Sequence, residues 1–319
     1  MKTLAFVVML LVAAAAPLSA AERVEQSPED RALAYLAREV PRWAGENKCY
    51  SCHNNGDAAR ALFMAVRIKH PVPAEALADT TRFLSKPDDW DKNGPEGPFK
   101  DKKLARIQFA AALASAVEAG ALKDAQPLRR AAELLLELQQ ADGSWTTDAV
   151  APLGSPVTYG RALLTSTARR VLEKTDAKHY RAAITRAEAW LAKANVDSVL
   201  DAAAVLQGLP NSPQHQPQRD RCLDLIRKAQ GKDGGWGPYA TSPPEPFDTA
   251  VVLLALTREA GDEWQPAIRK GREFLIKSQQ PDGGWPETTR PPGAESYAQR
   301  LSTTGWATLA LLETLRTDK

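Results

Sequence analysis

The sequence predicts an all-α fold that is built from helical hairpins. The segment 270–285, KGREFLIKSQQPDGGW, has the apolar periodicity of an amphipathic helix, with Phe274 and Leu275 on its inner face. Pro281 stops that helix, and the following Asp-Gly-Gly turn leads to Trp285. The same order of residues recurs twice upstream, ending at Trp145 and Trp236. No strand signal of comparable length competes with this pattern.

The helical segments alternate between two types. The inner type is more apolar and richer in alanine, which is typical of helices that are buried on most of their surface. The outer helices are predicted at about 31–43, 74–85, 128–140, 180–194, 219–230 and 267–279, and the inner helices at about 57–68, 102–118, 157–173, 198–209, 247–259 and 302–315. Six helical hairpins result.

The repeated segment resembles the QW motif of the squalene/hopene cyclase and protein-prenyltransferase repeat family. The residues that carry the full form of the motif are Lys270, Gly271, Phe274, Leu275, Gln279, Gly283 and Trp285. This resemblance implies an (α/α)6 toroid, in which six inner helices form a barrel and six outer helices surround it. It also implies that residues 22–319 form a single domain.

The net charge and the amino-terminal segment limit which partners and which cellular compartment we expect for this protein. A formal net charge of +2 gives no electrostatic footprint for nucleic acid. Residues 1–21 have one leading lysine, a short apolar core and a small-residue end, which predicts a cleaved secretory signal peptide rather than a stable membrane span. An uncleaved N-terminal anchor is the alternative. We therefore expect a periplasmic or secreted protein.

The toroid predicts where a ligand would bind. All outer-to-inner loops of such a fold lie at one end, where the amino ends of the inner helices offer free N–H groups. We call this end the loop mouth; its loops are 44–56, 86–101, 142–156, 195–197, 231–246 and 281–301. We expect the binding site there, with an isoprenoid or other lipid, or a redox partner protein, as the ligand.

The first mouth loop contains a C-x-x-C-H sequence formed by Cys49, Cys52 and His53. This resembles the attachment motif of c-type cytochromes, in which two thiols bind the haem vinyl groups and the histidine binds the iron. Covalent haem c is therefore the predicted cofactor, with Met64 as a candidate distal ligand or an ordinary core residue in its place. A Cys49–Cys52 disulfide and a metal site at the same three residues are the alternatives.

A second candidate site begins the fifth inner helix. The segment from Glu245 to Val252 resembles the Asp-x-Asp-Asp-Thr-Ala acid motif of squalene/hopene cyclases, in which the middle aspartate protonates the substrate. Phe247 takes that middle place here, and an aromatic ring cannot act as a general acid. Asp248 is the remaining catalytic candidate, with capping of the helix as its alternative role.

Three functions follow from these motifs. The leading hypothesis is an exported toroid with haem c for electron transfer or redox accessory work; the alternatives are a non-redox binding scaffold and a divergent terpenoid-cyclase-like enzyme. A wide pocket with convergent polar side chains would favour an enzyme, whereas a barrel filled by its own side chains would favour a scaffold. The candidate cavity residues are Asp57, Arg106, Tyr159, Asp201, Asp248, Thr304 and Trp306.

Overall fold

The computed structural model describes residues 26–93, 101–148, 153–259, 261–290, 293 and 295–315. Twelve α-helices alternate along this part of the chain, and no strand occurs among these residues. The outer helices are α1 (Pro28–Asn47), α3 (Glu75–Leu84), α5 (Gln126–Leu136), α7 (Arg181–Leu191), α9 (Gln216–Ala229) and α11 (Gln265–Ser278). The inner helices are α2 (Ala59–Arg67), α4 (Lys102–Glu118), α6 (Arg161–Asp176), α8 (Val199–Gly208), α10 (Pro246–Leu256) and α12 (Tyr297–Thr314). The predicted signal peptide lies outside the described residues.

The inner helices form a closed barrel. Each packs against the next in chain order, and α12 packs against α2 and the π-helical turn Cys52–Ala58 that precedes it. Every residue of α10 is buried, whereas α11 buries only Ile268, Gly271 and Leu275. This difference confirms the predicted division into inner and outer helices and the predicted all-α toroid.

Two inner helices differ from their predicted bounds. Helix α6 begins at Arg161 rather than at 157, because Tyr159 and Gly160 adopt positive φ angles of 61° and 79° that interrupt helical geometry. Helix α12 begins at Tyr297 rather than at 302, since the Ser296 side chain accepts the Gln299 backbone N–H and caps the helix one turn earlier.

The repeat motif joins neighbouring hairpins. In the last copy, the Gln279 amide donates to the Gly283 carbonyl at 3.0 Å and to the Pro28 carbonyl at 2.9 Å, so it links α11 to α1 and closes the ring. The buried Trp285 indole donates to the Leu275 carbonyl at 2.8 Å. The earlier copies repeat these bonds at Gln139, Trp145, Gln230 and Trp236.

The glycine of the motif allows two outer helices to approach each other. Gly283 has a φ of 95°, and a Cβ placed there would overlap the Arg31 carbonyl oxygen. Gly120 has a φ of 72°, but a Cβ placed there would meet nothing within 4 Å. Comparing alanine substitutions at the two glycines therefore distinguishes the cost of backbone strain from the cost of steric overlap.

We expect Gly283→Ala to destabilise the protein by about 3 kcal/mol or more, because both strain and overlap oppose it. Gly120→Ala should cost only about 1–2 kcal/mol, since strain alone opposes it. Urea unfolding monitored by circular dichroism measures both values. Equal losses for the two variants would contradict the role of Gly283 in helix approach.

Candidate functional site

A buried polar cluster lies where the amino ends of the inner helices meet. Asp57, fully buried in the π-helical turn, is its centre. Its carboxylate accepts hydrogen bonds from the Gln108 amide at 2.7 Å, from the Ser302 hydroxyl at 2.8 Å and from the Tyr159 hydroxyl. The Arg60 guanidinium lies 3.7 Å away. The cluster thus joins residues from four inner-helix starts.

Burial governs the ionisation of this cluster. Desolvation raises the pKa of Asp57, and the Arg60 charge together with the three hydrogen bonds opposes that rise. Burial and the neighbouring Asp57 raise the pKa of Tyr159 well above its usual range, so Tyr159 remains a hydrogen-bond donor. The strained φ of Tyr159, 61°, holds its hydroxyl against Asp57.

His53 extends the cluster toward the surface. Its ring is half-buried, and its Nδ1 lies 2.9 Å from the Ser302 hydroxyl oxygen. Ser302 has one hydroxyl proton and gives it to Asp57, so the Nδ1 of His53 must donate to Ser302. The Nε2 of His53 then carries the lone pair. Burial lowers the pKa of His53 to about 4, which keeps the ring neutral.

The two motif cysteines flank this histidine as free thiols. Cys49 and Cys52 are half-buried and are not joined in a disulfide. Burial raises the pKa of the Cys52 thiol to about 12. Within the described ranges, no group of three or more His, Cys, Asp or Glu side chains is placed to hold a metal ion.

Met64 lies far from His53. Met64 follows His53 by eleven positions of helical chain, which corresponds to roughly 16 Å along the axis at the α-helical rise. The Met64 sulfur accepts a hydrogen bond from Arg67 at 2.8 Å and lines a cavity at the other end of the barrel. Met64 is therefore a cavity-wall residue, and the prediction that it is a distal haem ligand is wrong.

Asp248 forms a second buried cluster at the loop mouth. Arg290 donates to the Asp248 carboxylate at 2.6 Å, to the Glu245 carboxylate at 2.8 Å and to the Gly154 carbonyl at 3.0 Å. This one guanidinium therefore joins three mouth loops. Burial raises the pKa of Asp248 to about 6 although the Arg290 charge lowers it, and the Asp248 Oδ2 atom is buried without a partner among the described residues.

The remaining predicted cavity residues do not converge. Arg106 pairs with Asp91 on the outside of the barrel, and Asp201 accepts the hydroxyl proton of Ser198 at 2.6 Å in the first turn of α8. Thr304 accepts the backbone N–H of Trp285 at 3.0 Å, so it supports the repeat. Each of these three side chains thus has a local structural partner, and the structure does not bring them together.

Aromatic rings fill the barrel axis beneath the loop mouth. The ring of Trp306 contacts Tyr159 and Phe247 edge-on, at centroid distances of 5.7 and 5.9 Å. The Arg60 guanidinium lies over the opposite side of the indole, 4.7 Å from its centroid. Trp306 thus packs against Tyr159, whose hydroxyl is bonded to Asp57. The two rings form a packed plug rather than the wall of a wide pocket.

Sequence reasoning missed Arg290, Gln108 and the role of Ser302. Arg290 is a single cation in a proline-rich loop, and Gln108 is one polar residue in an alanine-rich helix, so neither belongs to a periodic or spaced pattern. Ser302 is one of three consecutive hydroxyl residues in an inner helix, and nothing in the sequence distinguishes it from the other two. None of the three has a local sequence signal that could have revealed it.

The similarity to known proteins is concentrated in the carboxyl-terminal part of the chain. Residues 202–319 match the model of the squalene-hopene cyclase C-terminal domain. The squalene-hopene cyclase of Bradyrhizobium diazoefficiens is 37% identical over 82 residues, which are 22% of this chain and 12% of that relative. The terpene cyclase/mutase ntnI of Nectria sp is 33% identical over 109 residues, 33% of this chain and 15% of the relative. The matched segments thus span only a small part of these longer relatives.

Solved structures share the fold over nearly the whole chain. The type II terpene cyclase MstE from Scytonema superposes with a TM-score of 0.56 at 15% identity, over 91% of this chain and 97% of that one. A possible member of the GH105 family from Salmonella enterica gives a TM-score of 0.53 at 12% identity, over 98% and 100% of the two chains. Since differently named proteins share this fold, it does not by itself assign an activity. By its fold the chain is an α/α toroid, and its carboxyl-terminal part is similar in sequence to squalene-hopene cyclases.

Proposed function

We propose that this chain is an exported α/α-toroid protein that holds a covalent c-type haem at Cys49, Cys52 and His53 and serves in electron transfer or as a redox accessory. The observation that carries the proposal is the hydrogen-bond chain from His53 through Ser302 to Asp57. It assigns the Nδ1 proton to the bond with Ser302 and leaves the Nε2 lone pair for an iron atom.

The residues at the motif fit such a group. Both thiols are free and half-buried, so neither is consumed by a disulfide. The neutral His53 ring is in the form that binds metals, and its orientation is fixed by a second residue that is itself hydrogen-bonded. When bound, the haem would supply one-electron chemistry. The protein would hold the group in place and set the basicity of His53 through Ser302.

Export supports this proposal and depends on the predicted signal peptide. Disulfide-permissive compartments outside the cytoplasm are where c-type haem attachment in the resembled cytochromes takes place. No helix in the described ranges is long and apolar enough to cross a bilayer. A redox partner would approach the first mouth loop, where Cys49 and the half-buried edge of His53 lie.

Two alternatives are less well supported. A non-redox scaffold stapled by a Cys49–Cys52 disulfide requires a bond between two thiols that are free in this structure. A divergent terpenoid-cyclase-like enzyme is favoured by the similarity of residues 202–319 to cyclases, and its ligand would be an isoprenoid or other lipid. Against it, Phe247 occupies the place of the proton donor, and Asp248 is paired with Arg290.

Absorption spectra test the haem proposal directly. Protein exported by a host that matures c-type cytochromes should be coloured, and haem stain should remain on its band in a denaturing gel. The double variant Cys49→Ala/Cys52→Ala should lose that stain, because both covalent bonds are removed.

Cys222→Ala is the matched control. Cys222 is a buried free thiol on outer helix α9, outside the motif, so its loss should leave the stain unchanged. Colourless protein from a host that matures a known c-type cytochrome in parallel would refute the proposal. Mass spectrometry of the same sample then shows whether Cys49 and Cys52 are free or oxidised to a disulfide.

The Ser302→Ala variant tests the hydrogen-bond chain. Removing the acceptor of the His53 Nδ1 proton makes the ring a poorer electron donor, so we expect retained covalent haem with a higher midpoint potential. Potentiometric titration followed by absorption measures the shift. Thr303→Ala is the control, because its hydroxyl has no partner among the described residues. An unchanged potential in Ser302→Ala would exclude the proposed role of Ser302.

The pH dependence of stability tests the cyclase-like alternative. The pKa of Asp248 is raised from 3.8 to about 6, so between these values the folded state keeps a proton that the unfolded state has lost. Stability should therefore fall by on the order of 3 kcal/mol as the pH rises from about 4 to 6, and then level off. Asp248→Asn should remove this fall, and the exposed Asp79→Asn should keep it.

Urea titrations across this pH range measure the free energy of unfolding of the wild type and of the two variants. If the fall in stability ends near pH 6, Asp248 is ionised at neutral pH and is a poor proton donor there. If the fall instead continued well above pH 7 in the wild type and was absent in Asp248→Asn, Asp248 would be protonated under working conditions. That result would favour the enzyme alternative over the redox proposal.

A further inference from the structure

A cavity lies at the carboxyl end of the inner helices, opposite the predicted loop mouth. It comprises about 510 Å³ of empty space, including solvent at its open side. All six inner helices contribute to its wall, for example at Arg170 of α6 and Leu254 of α10, and Arg258 lies just after the end of α10. A neighbouring smaller pocket, which shares Arg60 and Arg170 with it, reaches Trp306. Arg60 also lies 3.7 Å from Asp57 of the polar cluster.

The wall of this cavity carries more positive than negative charge. Five cations and two carboxylates line it: Arg60, Arg67, Arg170, Lys174, Arg258, Glu118 and Glu313. The two carboxylates are already engaged, since Glu118 pairs with Lys174 at 2.7 Å and with Arg67 at 3.2 Å, and Glu313 pairs with Arg67 at 3.2 Å. Neither Arg170 nor Arg258 forms an ion pair within 4.0 Å among the described residues. The Arg60 guanidinium lies 3.7 Å from Asp57 but keeps a buried N–H without an acceptor there.

Arg170 is the cation least compensated by the protein. Its one hydrogen bond within the described ranges goes to the neutral amide oxygen of Gln207, at 3.3 Å. No described carboxylate lies within 4.0 Å of its guanidinium. Burial, Arg258 and Arg60 together lower the pKa of Arg170 well below its usual range. A buried charge without a counter-charge is costly, so a fold retains one where a ligand supplies the counter-charge.

An ordinary structural explanation does not account for these arginines. Cations near the carboxyl ends of helices usually donate to the last free carbonyl groups. Among the hydrogen bonds of the described residues, none joins Arg60, Arg170 or Arg258 to a backbone carbonyl. In addition, Arg60 and Trp306 each carry a buried N–H donor, Nη1 and Nε1, that has no hydrogen-bond acceptor there. The wall of the cavity therefore has unsatisfied hydrogen-bond donors as well as an excess of positive over negative charge.

We propose that this cavity binds the phosphate or diphosphate group of a small molecule, with Arg60, Arg170 and Arg258 as its principal contacts. Guanidinium groups match phosphate oxygens in bidentate geometry, and their hydrogen bonds are strengthened by charge. A group with two or more negative charges would offset the guanidinium charges of Arg170 and Arg258 and would accept the unsatisfied N–H of Arg60. Arg258 is exposed at the rim, and Arg60 is almost buried beneath it, so the ligand would enter from the carboxyl end.

Calorimetric titration with inorganic phosphate and with pyrophosphate tests this assignment. We expect wild-type protein to bind pyrophosphate more tightly than phosphate, and both less tightly as salt is raised, because the contacts are ionic. Arg170→Gln and Arg258→Gln should each weaken pyrophosphate binding by about tenfold or more, which corresponds to the loss of one charge-assisted hydrogen bond. Arg82→Gln is the control, since Arg82 lies exposed on outer helix α3.

Thermal unfolding without ligand checks that the effect is not a loss of folding. Because Arg170 is an uncompensated buried charge, Arg170→Gln should leave the melting temperature unchanged or raised while removing the increase that pyrophosphate causes in the wild type. Pyrophosphate binding that is absent in the wild type, or equal in all variants, would overturn the proposal. If succinate binds more tightly than pyrophosphate, the cavity recognises carboxylate groups rather than phosphate groups, and the proposal is wrong.

Discussion

Closure of the ring depends on one side-chain amide. Gln279 contacts the turn that follows its own helix and the first turn of α1, so the last outer helix is bonded to the first. The equivalent glutamines join α5 to α7 and α9 to α11 in the same way. Since neither hairpin of such a pair can bury its apolar face alone, these bonds place each hairpin where its neighbours complete the core.

Ring closure has a consequence for the amino ends of the inner helices. It brings six helix starts together, and their polar groups must be satisfied without much water. Asp57 and Arg290 do this from two sides: Asp57 accepts from three inner helices, and Arg290 links three loops. The predicted loop mouth is therefore tightly bonded among the described residues. Its first loop presents two thiols and an imidazole near the surface, at Cys49, Cys52 and His53.

The two ends of the barrel consequently have different chemistry. Trp306 separates them, with Tyr159 and Phe247 on one side and Arg60 over the other face of the ring. On the amino side, a neutral histidine is held by a serine and a buried carboxylate. On the carboxyl side, an open space is lined by more cations than carboxylates. The substitution of phenylalanine for the proton-donating aspartate removes the acid that a cyclase would need and adds an apolar ring to the plug.

The sequence by itself determined the twelve helices, their division into inner and outer sets, and the residues of the repeat bonds. These depend on local periodicity and on a spaced motif, which a single sequence displays. The C-x-x-C-H motif and Asp57 were also identifiable, because they lie within one short segment. Only the tertiary structure decided that Met64 lies at the far end, that Arg106 faces outward, and that Arg60, Arg170 and Arg258 share a cavity. The reason is physical: residues on different inner helices meet only after the ring has closed, and which end of a barrel remains open depends on how its side chains pack.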